Sequence, residues 1–94
     1  MKSEQMRSAE ILLRCSKMEH DRCSVVRDAL MKNFKNVLEA NTTRTHIGDV
    51  DYCVAASALV KEGEMKKFET KIRNLKIKSP AISVKHAKVY FSKH

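Results

Sequence analysis

Three cysteines, four histidines, a few close carboxylates and a crowd of lysines are the side chains of this sequence that could do chemistry. Cys15, Cys23 and Cys53 are an odd number at irregular spacing, a poor framework for disulfides. Each lies in or just before a helix-like apolar pattern, where a thiol serves as a small hydrophobe in a reducing compartment. Cys15, His20 and Cys23, with His46 or Cys53 as a fourth, could be arranged as metal ligands. Their spacing matches no common zinc knuckle, so neither a metal nor another cofactor is expected. His20, His46, His86 and His94 have no recognisable nucleophile beside them, and Gly48 and Gly63 stand too far apart to make a phosphate-cradling loop. Asp49 and Asp51 could pair for acid–base work; stabilising the start of a helix is the simpler role. No catalytic constellation stands out, and the expectation is a protein that is not an enzyme.

The lysines carry more weight. The net charge is +8, and residues 61–94 hold ten Lys/Arg against three Asp/Glu. Charge this lopsided points to a polyanion met by the C-terminal third. Lys61, Lys66, Lys67, Lys71, Arg73, Lys76, Lys78, Lys85 and Lys88 are the candidate contacts there. Each phosphate neutralised releases condensed counterions, which drives affinity without regard to base sequence. Arg44, Thr45 and His46 could add backbone contacts from the chain just before a helix.

The elements that must position these groups fit one domain of 94 residues with 43% hydrophobic side chains, two Gly and one Pro. No apolar run approaches the roughly 18 residues of a membrane span. The N-terminus is polar, so a cytoplasmic location is expected, or a nuclear one in a eukaryote. Helical spacing of Met6, Ala9, Leu13 and Ser16 predicts a first helix over residues 3–18. Val26, Leu30, Phe34, Val37 and Leu38 predict a second over 24–40. Residues 41–46 have no apolar side chain and read as a loop. A third helix is expected over 48–62, with Asp49 as its cap, Tyr52, Ala55, Ala56, Leu59 and Val60 inward, and Gly63 closing it. Residues 64–94 leave two readings open. Met65, Phe68, Ile72 and Leu75 have helical spacing, with a cap at Ser79-Pro80. Glu64–Phe68 and Val84–Phe91 can also be strands.

The run from Ala56 to Phe68, with Leu59, Gly63 and Met65 in place, resembles the end of the recognition helix and first wing strand of winged helix-turn-helix proteins. Val89-Tyr90-Phe91 resembles the closing wing strand. The resemblance implies duplex DNA binding, with the third helix at the major groove and a lysine-rich wing on the backbone. Asp49 and Asp51 depart from it, because groove-reading helices carry Arg, Lys, Asn or Gln at that end. The run Lys67-Phe68-Glu69-Thr70-Lys71-Ile72-Arg73-Asn74-Leu75-Lys76 is similar to the central helical domain of transcription elongation factor S-II. That likeness implies a helical module docking on a transcription-machinery protein.

The sequence alone therefore predicts an α+β, mainly helical chain: a three-helix core with a C-terminal β-hairpin, the alternative being an all-α bundle. The function it predicts is that of a small transcriptional regulator or phage-like accessory protein bound to duplex DNA. Pairing into a homodimer through an apolar face bearing Ile11 and Leu12 is a further expectation; a membrane partner is not expected.

Overall fold

The computed structural model describes residues 5–16, 19–78 and 81–92. Its first element is a strand, β1, over Met6–Cys15. Ala9, Ile11, Leu13 and Cys15 recur at every second position and are at most 2% exposed, the signature of a strand with one covered face. This period of two prevails over the helical spacing of Met6, Ala9, Leu13 and Ser16, because β1 is central and paired on both sides. It runs antiparallel to β3 (Val50–Lys61) from Met6–Lys61 to Leu13–Val54. On its other side it runs antiparallel to β5 (Ile82–Phe91) from Ala9–Phe91 to Cys15–Val84.

The segment expected as a third helix is thus a strand. Its start is a tight hairpin: Ile47 of β2 (Val37–Ile47) pairs with Val50, leaving Gly48 and Asp49 as the two-residue turn. Gly48 has φ +62, and among the described residues no residue other than glycine has positive φ. A left-handed residue at the first turn position matches the right-handed twist of the flanking strands. Asp49 is a turn residue, not a helix cap. Ala55, Ala56 and Ala58 are good helix formers, but β3 has a partner on each side. Val54, Ala58 and Val60 are at most 2% exposed, and burial outweighs propensity. Gly63 lies in the short 3-10 turn Glu62–Glu64.

The first helix, α1, covers His20–Asn33 and ends seven residues before the expected boundary at 40. Phe34 closes it by donating its backbone N–H to the Leu30 carbonyl. Residues 37–47, half of them expected as loop, form β2, the sheet's edge. An edge strand needs only one paired side and tolerates Thr and charge. The second helix, α2, covers Met65–Arg73 and buries Phe68 and Ile72. Of the two readings left open for the last third, the helical one fits 65–73 and the strand fits 84–91. A two-residue strand, β4 (Lys76–Ile77), pairs with the start of β5. The expected cap at Ser79-Pro80, and Ser3 and Met18 at the ends of the expected first helix, lie outside the described residues.

The sheet order is β2-β3-β1-β5-β4. Each helix crosses between two parallel strands separated by a third, a split β-α-β arrangement used twice. One core results: Cys23, Val26 and Leu30 of α1 and Phe68 and Ile72 of α2 pack on Ala9, Ile11, Leu13, Val54, Ala58, Val60, Ile82 and Ala87. Phe34 and Phe68 join the two helices edge to face, centroids 5.8 Å apart. Arg7 ties the far end together, donating to the Ser92 carbonyl at 2.9 Å and to Glu62 at 3.0 Å. A mainly helical three-helix core is therefore replaced by a sheet with two helices on one face.

Candidate functional site

Alternation along β1 sends Ser8, Glu10, Leu12 and Arg14 to the face that carries no helix. The register of the neighbours arranges that face in rows across the strands. Glu10 lies level with Ser57 of β3 and Tyr90 of β5, and Ser57 with Glu39 of β2. Leu12 lies level with Ala55 and Lys88, and Ala55 with Asn41. Arg14 lies level with His86. One row is thus acidic and aromatic, the middle row has apolar Leu12 and Ala55 at its centre between Lys88 and Asn41, and the third carries Arg14 and His86. Over the small side chains sits a shallow hollow of about 320 Å³, edged by Glu10, Leu12, Glu39, Asn41 and Tyr90. Tyr90 is 47% exposed, and the Lys88 ammonium lies 5.9 Å from its ring centroid, a geometry that holds a cation over the ring. The Arg14 guanidinium is steadied by donating to the Asp51 carbonyl at 3.3 Å.

A second group lies on the covered face. The sulfurs of Cys15 and Cys53 are 3.5 Å apart, and Cys23 of α1 is close enough to exchange a hydrogen bond with Cys53. All three are buried and no disulfide joins them. The hydrogen bond from Cys53 pulls the Cys15 thiol below its ordinary value, and the same contact pushes Cys53 up. Burial raises Cys23 to about 12. A cavity of about 620 Å³ between α1 and the β2–β3 hairpin reaches Cys23 and Cys53 from the side of Thr42–His46. On its lining His46 Nδ1 bonds to the Asp51 carboxylate. Histidine and thiol thus belong to two separate pairs, His46 with Asp51 and Cys53 with Cys15. Among the described residues no cluster of His, Cys, Asp or Glu is arranged to hold a metal ion.

The basic side chains singled out from the sequence do not form one surface. Arg44, Thr45 and His46 stand on β2 and line the thiol cavity, where the Thr45 hydroxyl pairs with that of Thr43 at 3.0 Å. Lys61, Lys67 and Lys71 gather with Lys35 around a hollow of about 290 Å³ between the ends of α1 and α2. Arg73 is spent on the fold, donating to the Ala87 carbonyl at 2.9 Å beside Glu69. Lys66 is on α2, Lys76 on β4, Lys78 in the following turn, and Lys85 on β5, all exposed. Lys88 is on the open face. Sequence reasoning missed Glu10, Ala55, Ser57 and Tyr90 as a surface. Only the strand register brings them together.

These placements remove the winged-helix reading. Residues 48–62 would have been the recognition helix; they are an inner strand of the sheet. Residues 64–91 would have been the wing; their described part holds α2, the short β4 and β5. With a strand where the recognition helix was expected and a helix where the wing was expected, the DNA-binding regulator falls too. So does the S-II-like alternative, a purely helical module. No protein-family model matches the chain, and no curated relative does. Among solved structures the chain is similar to a DABB family protein from Mesorhizobium loti with a ferredoxin-like fold, at 12% identity and TM-score 0.51, covering 95% of this chain and 96% of that one. What that likeness establishes is architecture: this chain has a ferredoxin-like α+β fold, an antiparallel sheet backed by two helices on one face.

Proposed function

We propose that this protein is a binding module, not an enzyme, that works through the open face of its sheet and whose first partner there is a second copy of itself. The carrying observation is the order of the rows on that face: acidic at Glu10 and Glu39, apolar at Leu12 and Ala55, basic at Arg14 and His86. A two-fold axis lying between two such faces and crossing the strands at Leu12 stacks like strands on each other. It brings Leu12 onto Leu12 and sets Glu10 of each copy opposite Arg14 of the other. The surface is self-complementary in the way a symmetric dimer requires.

Size supports the same reading. Four long strands at about 4.8 Å spacing and about 33 Å length offer roughly 600 Å². Two copies would then bury roughly 1,200 Å², the lower end of stable interfaces. Paired faces would close the two hollows over Ala55 and Ser57 into one chamber. Its carboxylates, Asn41 and the Tyr90 phenol suit a small ligand bearing hydrogen-bond donors. Sedimentation equilibrium tests the pairing: twice the chain mass is expected, reverting to one chain mass in Leu12→Arg. A monomer at high micromolar concentration refutes it.

A further inference from the structure

The three thiols of this chain come from β1, α1 and β3, separated in sequence and brought together only by the fold. Nothing in the proposed use of the open face involves them, because they lie on the opposite side of the sheet. Two of them, Cys15 and Cys53, have their sulfurs 3.5 Å apart on neighbouring strands. A disulfide has an S–S bond of about 2.05 Å, so closing it asks for about 1.5 Å of approach. Of the two, Cys53 is reachable: the cavity between α1 and the β2–β3 hairpin touches it and has room for molecules much larger than water, while Cys15 does not line that cavity.

We propose that Cys15 and Cys53 are a site of reversible disulfide formation, oxidised by a small hydroperoxide that enters through this cavity. Cys53, the member of the pair that lines the cavity, meets the peroxide first. The Cys53 sulfur takes the terminal peroxide oxygen as the O–O bond breaks, giving a sulfenic acid and releasing an alcohol or water. The Cys15 sulfur, 3.5 Å away, then attacks the Cys53 sulfur, and the hydroxyl leaves as water with the Cys15 proton. In balance, two thiols and one hydroperoxide give one disulfide, one water and one alcohol, or two waters with hydrogen peroxide. Cys23 is not consumed. A thiol reductant reverses the step.

The sequence makes the test direct, because Arg and Lys residues place the three cysteines in three different tryptic peptides. Folded protein is treated with hydrogen peroxide, remaining thiols are alkylated in denaturant, and the digest is mapped by mass spectrometry. The expected product has lost the mass of two hydrogen atoms, holds one alkylated cysteine at position 23, and yields a peptide linking Cys15 to Cys53. Dithiothreitol restores three alkylated sites. Cys23→Ser should form the same link, and Cys15→Ser should form none. The wild-type map decides the matter even where a variant fails to fold. A link to Cys23, a disulfide between chains, stable sulfinic acid, or three unchanged thiols in folded protein while the urea-unfolded chain oxidises would each overturn the proposal.

Discussion

Reversing one charge on the open face should split the dimer, and reversing its partner as well should restore it. Glu10→Arg places an arginine opposite Arg14 of the other copy, and by symmetry does so twice. Glu10 is exposed and Arg14 half-buried in the single chain, so each Glu10–Arg14 pair is taken as worth about 0.5–1 kcal/mol. The substitution removes two such attractions and installs two repulsions of similar size, in total about 2–4 kcal/mol. That corresponds to a roughly 30-fold to several hundred-fold weaker dimer. Glu10→Arg with Arg14→Glu restores opposite charges at both contacts, and the dimer should recover most of its affinity. Sedimentation equilibrium or mass photometry over a dilution series reads the constant. Thermal melts check that Arg14→Glu, which gives up its hydrogen bond to the Asp51 carbonyl, leaves the fold intact. A double variant that pairs no better than Glu10→Arg alone would refute the proposed axis.

Three further outcomes are expected from the fold. Phe68→Ala should destabilise by about 3–5 kcal/mol, because Phe68 is 6% exposed and holds Phe34 edge to face; a loss under about 1 kcal/mol in urea unfolding would mean that the two helices are not joined there. Gly48→Val should cost about 1–2 kcal/mol from backbone conformation alone, since a Cβ at φ +62 meets nothing within 4 Å; an unchanged midpoint would mean that the hairpin does not need a left-handed residue. Stability should fall between pH 9 and 12: in the unfolded chain all three thiols ionise near their ordinary value of 9.0, whereas folded Cys23 holds its proton to about 12 and Cys53 is likewise raised. Only Cys15 shifts the other way, so the folded chain binds more protons across that window and loses stability as pH rises. Chemical denaturation at pH 8 and pH 11 checks the sign.

Much of the fold was written in the sequence in a form that two periods could claim. Ala9, Ile11, Leu13 and Cys15 alternate cleanly, yet Met6, Ala9, Leu13 and Ser16 also fit a helix; the choice depended on pairing with β3 and β5, far downstream in the chain. Ile47-Gly48-Asp49-Val50 carries a hairpin signal in its two-residue turn, but the alanines after it argue helix until β3 is known to lie between two partners. The helix at 65–73 and the strand at 84–91 were each one of two readings left open, because a stretch as short as Glu64–Phe68 fits either period. The candidate site was not legible. Leu12 was expected on an interacting face beside Ile11, and adjacent strand residues cannot share a face: Ile11 is 1% exposed and packs under the helices. The lysines drew attention by number, yet side-chain position in the fold, not density in the sequence, decides what they surround.

The central place of β1 also sets the order in which this chain can fold. Both of its partners, β3 and β5, come later in the chain, and its last ties, Ser92 N–H to the Ser8 carbonyl at 2.8 Å and Arg7 to Ser92, join the two ends of the sheet. Until β3 is made, the run Ile11-Leu12-Leu13 has bare edges on both sides, and until β5 arrives it has one. Local hairpin closure at Gly48 is fast, but the sheet is complete only when contacts spanning nearly the whole chain have formed. Such contacts are slow because they demand loop closure before any burial rewards it. During synthesis β1 therefore emerges before both of its neighbours, and a nascent chain stalled before residue 82 would present an apolar, half-paired strand to whatever lies nearby.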